Sequence, residues 1–310
     1  MIRLYRLVNG YLDYKHSLGF KIKIEGYTLL RFADYQKAKG YDGPLTSEIA
    51  LEWLNQFNSA SQWYRARLYE TLRTFSRYAC LVDSQSQLLP KGSGKCHGRT
   101  NPYIYSDKDA AAMMLALSQL YSPDGLRAKS LSTLFGLMYS TGMRPSECIH
   151  LTFDDYDSLN GTIFVRQTKF NRERLVPLSS TTAEALEAHA RVMTKSSKTD
   201  QIFQRTGGTS FDVRAVEYGW QLARQVLLPD SEQWSSRPPR PYDCRHSFCT
   251  HTIEKWVANG CDINAMMPLL STYVGHSKIA DTYWYLTATE SLLDVASDIF
   301  WASVGGDCLE

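Results

Sequence analysis

Along the first 85 or so residues, apolar positions recur with the period of a helix. They do so over 4–18, 27–38 and 48–57, and Thr46 or Ser47, after Gly43-Pro44, offers an N-cap for the third segment. A fourth segment, ASQWYRARLYETLRTFSRYACLVD, sets Leu68, Leu72, Phe75 and Ala79 along one stripe and Arg65, Arg73 and Arg77 on another part of the wheel. The pattern predicts four helices, the last with a basic side that is either a solvated bundle face or a contact for a polyanion.

The periodicity then lapses. SQSQLLPKGSGKCHGRTN is polar and glycine-rich and carries Lys91, Lys95 and Arg99, which reads as a linker. The expected organisation is a helical domain over 1–88, a linker over 89–103 and a second domain over 104–310, sizes that suit a 310-residue chain. Ser106, with Asp109 three residues on, resembles a helix start, and helical patterns run through 107–121 and 127–140. After Asn160-Gly161 the period changes: TIFVRQT and ERLVPL flank KFNR as a hairpin would. Helical patterns return over 181–194, 210–227, 243–259 and 262–271, and again after 278.

Composition adds bounds. With 44% hydrophobic and 21% charged residues the chain reads as globular, and no apolar run approaches the roughly 20 residues a bilayer needs. The opening segment has Asp13, Lys15 and His16 where a signal peptide would be apolar, so a cytoplasmic, non-membrane protein is expected. The seven cysteines (Cys80, Cys96, Cys148, Cys244, Cys249, Cys261, Cys308) are scattered and contain no Cys-x-x-Cys, which favours reduced thiols. The net charge of +2 conceals an asymmetry: five acids and no Lys or Arg follow Leu286, leaving +7 on residues 1–285. A basic body with an acidic tail is compatible with a phosphate-bearing partner.

Ser140-Thr-Gly-Met-Arg-Pro-Ser-Glu-Cys148 ends one helix and begins another, with Gly142 suited to a C-terminal cap and Pro145 to the next first turn. Arg144 then sits at a helix N-terminus, where it either reinforces an anion site or pairs with Glu147 to hold the turn. TGMRPSE resembles the first arginine box of the tyrosine recombinase or phage integrase family, and further boxes follow in that family's order: TKFNRERLVPL, PYDCRHSFCTH and YVGHSKIADTYWYLT. The resemblance implies catalytic roles for Arg144, Lys169, Arg245, His276 and Tyr285, with Tyr242 and Glu147 as auxiliaries. It covers about 100–290, looks closest to transposon-borne members, and implies a mainly α fold with a small antiparallel β-sheet. The N-terminal four-helix bundle would be a SAM-like core-binding domain, closing with the catalytic domain as a clamp on duplex DNA. Arg65, Arg73 and Arg77 become candidate DNA contacts.

The implied reaction is cleavage and rejoining of DNA through a 3′-phosphotyrosyl link. A phenol with a pKa of about 10 needs help losing its proton, and the phosphate needs its charge neutralised. Two permanently charged arginines do the latter, Lys169 protonates the departing 5′-hydroxyl, and His276 donates to phosphate or assists proton transfer. No metal or nucleotide cofactor is expected. The implied partners are double-stranded DNA, a homo- or hetero-tetramer, and accessory or partner recombinases.

One residue departs from the family pattern: Tyr242 stands where a His precedes the second arginine by three positions. It opens a rival reading, a weak or inactive DNA-binding paralogue that supports a partner recombinase. His246, adjacent to Arg245, would point about 100° away on a helix and is not expected to substitute. Cys244, His246, Cys249 and His251 would diverge on that helix rather than converge on zinc. Tyr283 and Tyr273 are expected to pack, and Asp154, Asp155 and Asp157 to form a turn rather than a magnesium site. Leu292, Leu293, Val295, Ile299, Phe300 and Trp301 form a helical pattern that either packs on its own domain or docks on a neighbour.

Overall fold

The computed structural model describes residues 3–91, 101–166, 173–193, 200–227, 238–287 and 289–304. Lys169 falls outside the described residues. The chain divides into two compact units, 1–99 and 100–310.

The first unit is a four-helix bundle: α1 (Arg3–Ser17), α2 (Lys23–Ala38), α3 (Ser47–Asn55) and α4 (Gln62–Val82). Thr46 caps α3 by accepting from the Ile49 N–H, and Ser61 caps α4 by accepting from Tyr64. Leu68, Leu72, Phe75 and Ala79 face a core shared with Leu4, Leu29, Phe32 and Trp53. On the other side of α4 Arg77 is exposed, whereas Arg65 is half-buried and Arg73 lies 3.6 Å from Glu70.

In the second unit α5 (Asp107–Ser118) starts with the expected capping box between Ser106 and Asp109 and packs on α6 (Leu126–Thr141). The short α7 (Pro145–Ile149) follows, then a sheet of β1 (Tyr156–Asp157), β2 (Thr162–Val165) and β3 (Arg174–Pro177) in the order β1-β2-β3, all antiparallel. The hairpin register pairs Val165 with Arg174 and Ile163 with Val176, which buries Ile163, Val165 and Val176 on one face. The turn acids act locally: Asp155 accepts from Thr152 and Asp157 from Leu159 and Asn160, while Arg166 pairs with Asp154 and Asp155. Beyond α8 (Ser180–Ala190) lie the small β4 (Gln204–Arg205)/β5 (Thr209–Ser210) pair and α9 (Val213–Ala223). The chain ends in α10 (Asp243–Ala258), α11 (Ile263–Val274), α12 (Ala280–Tyr283), a 3₁₀ turn over Trp284–Thr287, and α13 (Glu290–Val304).

Helix α10 lies between two hydrophobic clusters. Cys244 belongs to one, with Tyr105, Phe135 and Trp220; Cys249 belongs to the other, with Ile253, Leu270, Val274 and Tyr285. His251 instead meets Tyr139 and His246 meets Tyr242, so the four potential zinc ligands diverge. Leu292, Val295 and Ile299 of α13 pack into the second cluster, leaving Leu293, Phe300 and Trp301 exposed. Among the described residues no helix is long and apolar enough to cross a membrane.

Candidate active site

The site is built on the C-terminus of α11. The last carbonyls of a helix lack intrahelical partners and carry the negative end of its dipole, so they attract cations. Here three consecutive carbonyls each take an arginine: Tyr273 O accepts from Arg174 Nε at 2.9 Å, Val274 O from Arg245 Nη2 at 2.6 Å, and Gly275 O from Arg144 Nη2 at 2.9 Å. The three come from β3, α10 and the α6–α7 turn, so one helix end gathers distant parts of the sequence.

Arg245 is fully buried. Its Nη1 donates to Gly142 O at 2.9 Å, its Nε has no hydrogen-bond partner, and it forms no ion pair among the described residues. A buried guanidinium satisfied only by carbonyls carries an uncompensated charge, which an anion would balance. Gly142 makes the approach possible: its backbone is left-handed (φ 62°), and a Cβ there would lie 2.4 Å from Phe248 Cδ1.

Arg144 is the N-cap of a helix of only five residues, and its own N–H donates to Glu147 Oε2 at 2.9 Å. Of the two roles open to Arg144, the pairing with Glu147 is present, made by both its backbone N–H and its side chain. Its Nη1 donates to Glu147 Oε1 at 2.6 Å. Arg174 grips the same carboxylate with both arms, Nη2 to Oε2 at 2.7 Å and Nη1 to Oε1 at 3.2 Å. Burial alone would push the Glu147 carboxyl up; the hydrogen bonds and charges of Arg174 and Arg144 outweigh it and hold the group down at about 2.

His276 follows Gly275, whose left-handed backbone (φ 70°) ends α11 and turns the chain back. Its Nδ1 and Thr282 Oγ1 are 2.7 Å apart, which fixes the ring. Burial, and then the charges of Arg245 and Arg144, lower the imidazole to about 4, so it is neutral at ordinary pH. The Tyr285 ring stacks on His276, with centroids 5.9 Å apart and planes 15° from parallel. Tyr285 is 2% exposed, and burial, with the Cys249 thiol beside it, raises the phenol well above its ordinary value although Arg245 acts the other way.

Tyr242, at the N-cap of α10, is exposed and lines a cavity of about 370 Å³ together with Arg144, Arg240 and Glu217. His246 lies closer to Tyr285 than a helical wheel conveys: its ring is 5.3 Å from Tyr242, 5.0 Å from Trp284 and 5.5 Å from Tyr285. Arg245 and His246 do diverge along α10, but the 3₁₀ turn bearing Tyr285 packs across both. Tyr283 turns away toward Asn264, and Tyr273 stacks on Phe248 at 5.6 Å. The structure thus brings Arg144, Glu147, Arg245, His276 and Tyr285 together with Tyr242 at the margin, and adds Arg174 and His246. Arg174 lies inside TKFNRERLVPL, but nothing in a strand pattern marks it as a neighbour of Glu147 and Tyr273.

Residues 105–291 match the model of the Phage integrase family. A Sinorhizobium fredii protein named as an integrase/recombinase, y4rE, is 31% identical over 295 residues, covering 94% of each chain. The tyrosine recombinase XerD of Staphylococcus saprophyticus is 28% identical over 244 residues, 76% of this chain and 75% of that one. Among solved structures, a lambda integrase(75-356) dimer bound to a COC′ core site has a TM-score of 0.64 at 16% identity, covering 93% of this chain and 96% of that one. The Tn1549 transposon integrase in complex with circular intermediate DNA likewise has a TM-score of 0.64 at 16% identity, with 96% and 99% covered. At such identities the structural likeness shows a shared fold, while the family match and the 31% identical relative establish kinship: this chain belongs to the phage integrase family.

Proposed function

We infer that the protein is a site-specific DNA recombinase that cleaves and rejoins DNA through a covalent link from Tyr285 to a 3′-phosphate. The observation that carries this reading is the convergence of a phenol, an imidazole and two arginines in one site, with Tyr285 stacked on His276 and Arg245 buried without an ion pair among the described residues. In the reaction the Tyr285 oxygen forms a bond to phosphorus and the bond to the 5′-oxygen breaks. Arg144 and Arg245 stabilise the pentacoordinate phosphate with preorganised donors. His276, neutral before DNA arrives, either takes the phenolic proton or donates to a phosphate oxygen. Lys169 supplies the proton that the departing 5′-hydroxyl needs. The phosphotyrosyl bond keeps the energy of the broken one, so rejoining is the reverse reaction and requires no nucleotide. This chemistry needs no metal ion.

In this assignment the first unit grips DNA, with Arg77 the most accessible of the three candidate arginines of α4, and the second performs the chemistry. A tetramer of this chain, alone or with a partner recombinase, exchanges strands, and the work takes place on DNA in the cytoplasm. A protein that only bound DNA would have no use for a phenol stacked on a neutral imidazole beside two arginines. The test is a nicked suicide substrate bearing the native site, incubated in EDTA with the wild type and with Tyr285→Phe. A covalent protein–DNA adduct from the wild type alone supports the reading; specific binding without an adduct refutes it.

A further inference from the structure

Glu147 poses an electrostatic problem. Its carboxylate sits 2.6 Å from Arg144 Nη1, and a lone Arg144–Glu147 pair would have no net charge to offer a phosphate. Arg174 resolves it. Both of its terminal nitrogens bind the carboxylate, its Nε binds Tyr273 O, and its side chain is 11% exposed against 6% for Glu147. The three-residue cluster Arg144–Glu147–Arg174 thus keeps one net positive charge.

The placement of Arg174 is specific. Its guanidinium covers Gly275, where a Cβ would come within 2.9 Å of Nη1, so a side chain immediately before His276 would have to displace it. From β3, one side chain therefore touches Glu147 and the backbone turn that presents His276.

We propose that Arg174 is a positioning residue for strand cleavage: it neutralises Glu147 so that the charge of Arg144 remains available to the scissile phosphate, and it holds the α11 end that aims His276. It does not touch the phosphate. The proposal rests on the recombinase reading above.

The test is single-turnover cleavage of the suicide substrate, with DNA affinity measured separately, for Arg174→Gln, Glu147→Gln, the double variant and Arg174→Lys. Arg174→Gln should slow cleavage about 10- to 100-fold with a much smaller change in affinity, as expected for a misaligned and partly neutralised phosphate site. Adding Glu147→Gln should recover cleavage by at least several-fold, because the surplus negative charge is gone and both buried partners are now neutral. Arg174→Lys, which keeps the charge without the fork, should fall between the wild type and Arg174→Gln. A purely structural role predicts the opposite for the pair, with the double variant at least as impaired as Arg174→Gln. That result, or wild-type cleavage by Arg174→Gln, overturns the proposal while leaving the recombinase reading intact. Absence of any wild-type adduct overturns both.

Discussion

Replacing Glu147 with Gln removes the carboxylate that two half-buried arginines share, and its cost can be worked from the site. A carboxyl held at about 2 rather than its ordinary 4.5 has its charged form stabilised by about 3 kcal/mol in the folded state. Breaking a buried pair by removing one partner independently suggests about 3–5 kcal/mol. The side chain is 6% exposed, so solvent screening takes little from either figure. The Gln carbonyl still accepts one hydrogen bond, and the expected loss is therefore about 2–3 kcal/mol, or roughly 5–10 °C in the melting of a unit of about 200 residues. The pH dependence gives a sharper signature. Because the folded-state value lies below the unfolded one, the contribution is complete above about 4.5 and disappears as the pH falls toward 2. Urea unfolding of wild type and Glu147→Gln at several pH values from 7 to 3 should show a stability gap that narrows below about 4.5. An unchanged midpoint at pH 7, or a gap that stays constant down to pH 3, would refute the account of this cluster.

The imidazole of His276 should titrate near 4 in the free protein, read from its Cε1–H NMR signal, and binding a DNA phosphate should raise that value by neutralising the arginine field; a free-protein midpoint near 6.5 would contradict the burial and charge argument. Gly142→Ala combines a left-handed backbone with a Cβ 2.4 Å from Phe248, and should cost more than about 2 kcal/mol in a chemical melt; a cost below about 1 kcal/mol would show that the turn relaxes freely. Tyr285, at 2% exposure and with its phenol raised, should react with tetranitromethane far more slowly in the free protein than Tyr121, which is 84% exposed; equal rates would contradict its burial.

Much of this architecture can be read from local pattern. The stripe Leu68–Leu72–Phe75–Ala79, the Thr46 cap and the Ser106/Asp109 capping box depend on neighbours within a few residues and fold as their local chemistry dictates, and the two β-rich runs pair as β2 and β3. The two-residue β1 is too short to carry a period and is visible only through its pairing with β2. The site was legible in its residue types but not in its construction. Arg174 and the carbonyl of Tyr273 are 99 positions apart, and Arg245 and Gly142 are 103 apart. No periodicity reports that three arginines will terminate one helix. The closeness of His246 to Tyr285 is illegible for a related reason: a helical wheel gives directions around α10, but not which of them the turn carrying Tyr285 will cover.

The most direct test of the central claim is to identify the residue that carries the DNA. The wild-type adduct from the suicide substrate would be digested with nuclease and trypsin and the nucleotide-bearing peptide sequenced by mass spectrometry. The account predicts a 3′-phosphonucleotide on Tyr285 alone; modification of Tyr283, Tyr273 or Tyr242 instead would contradict it.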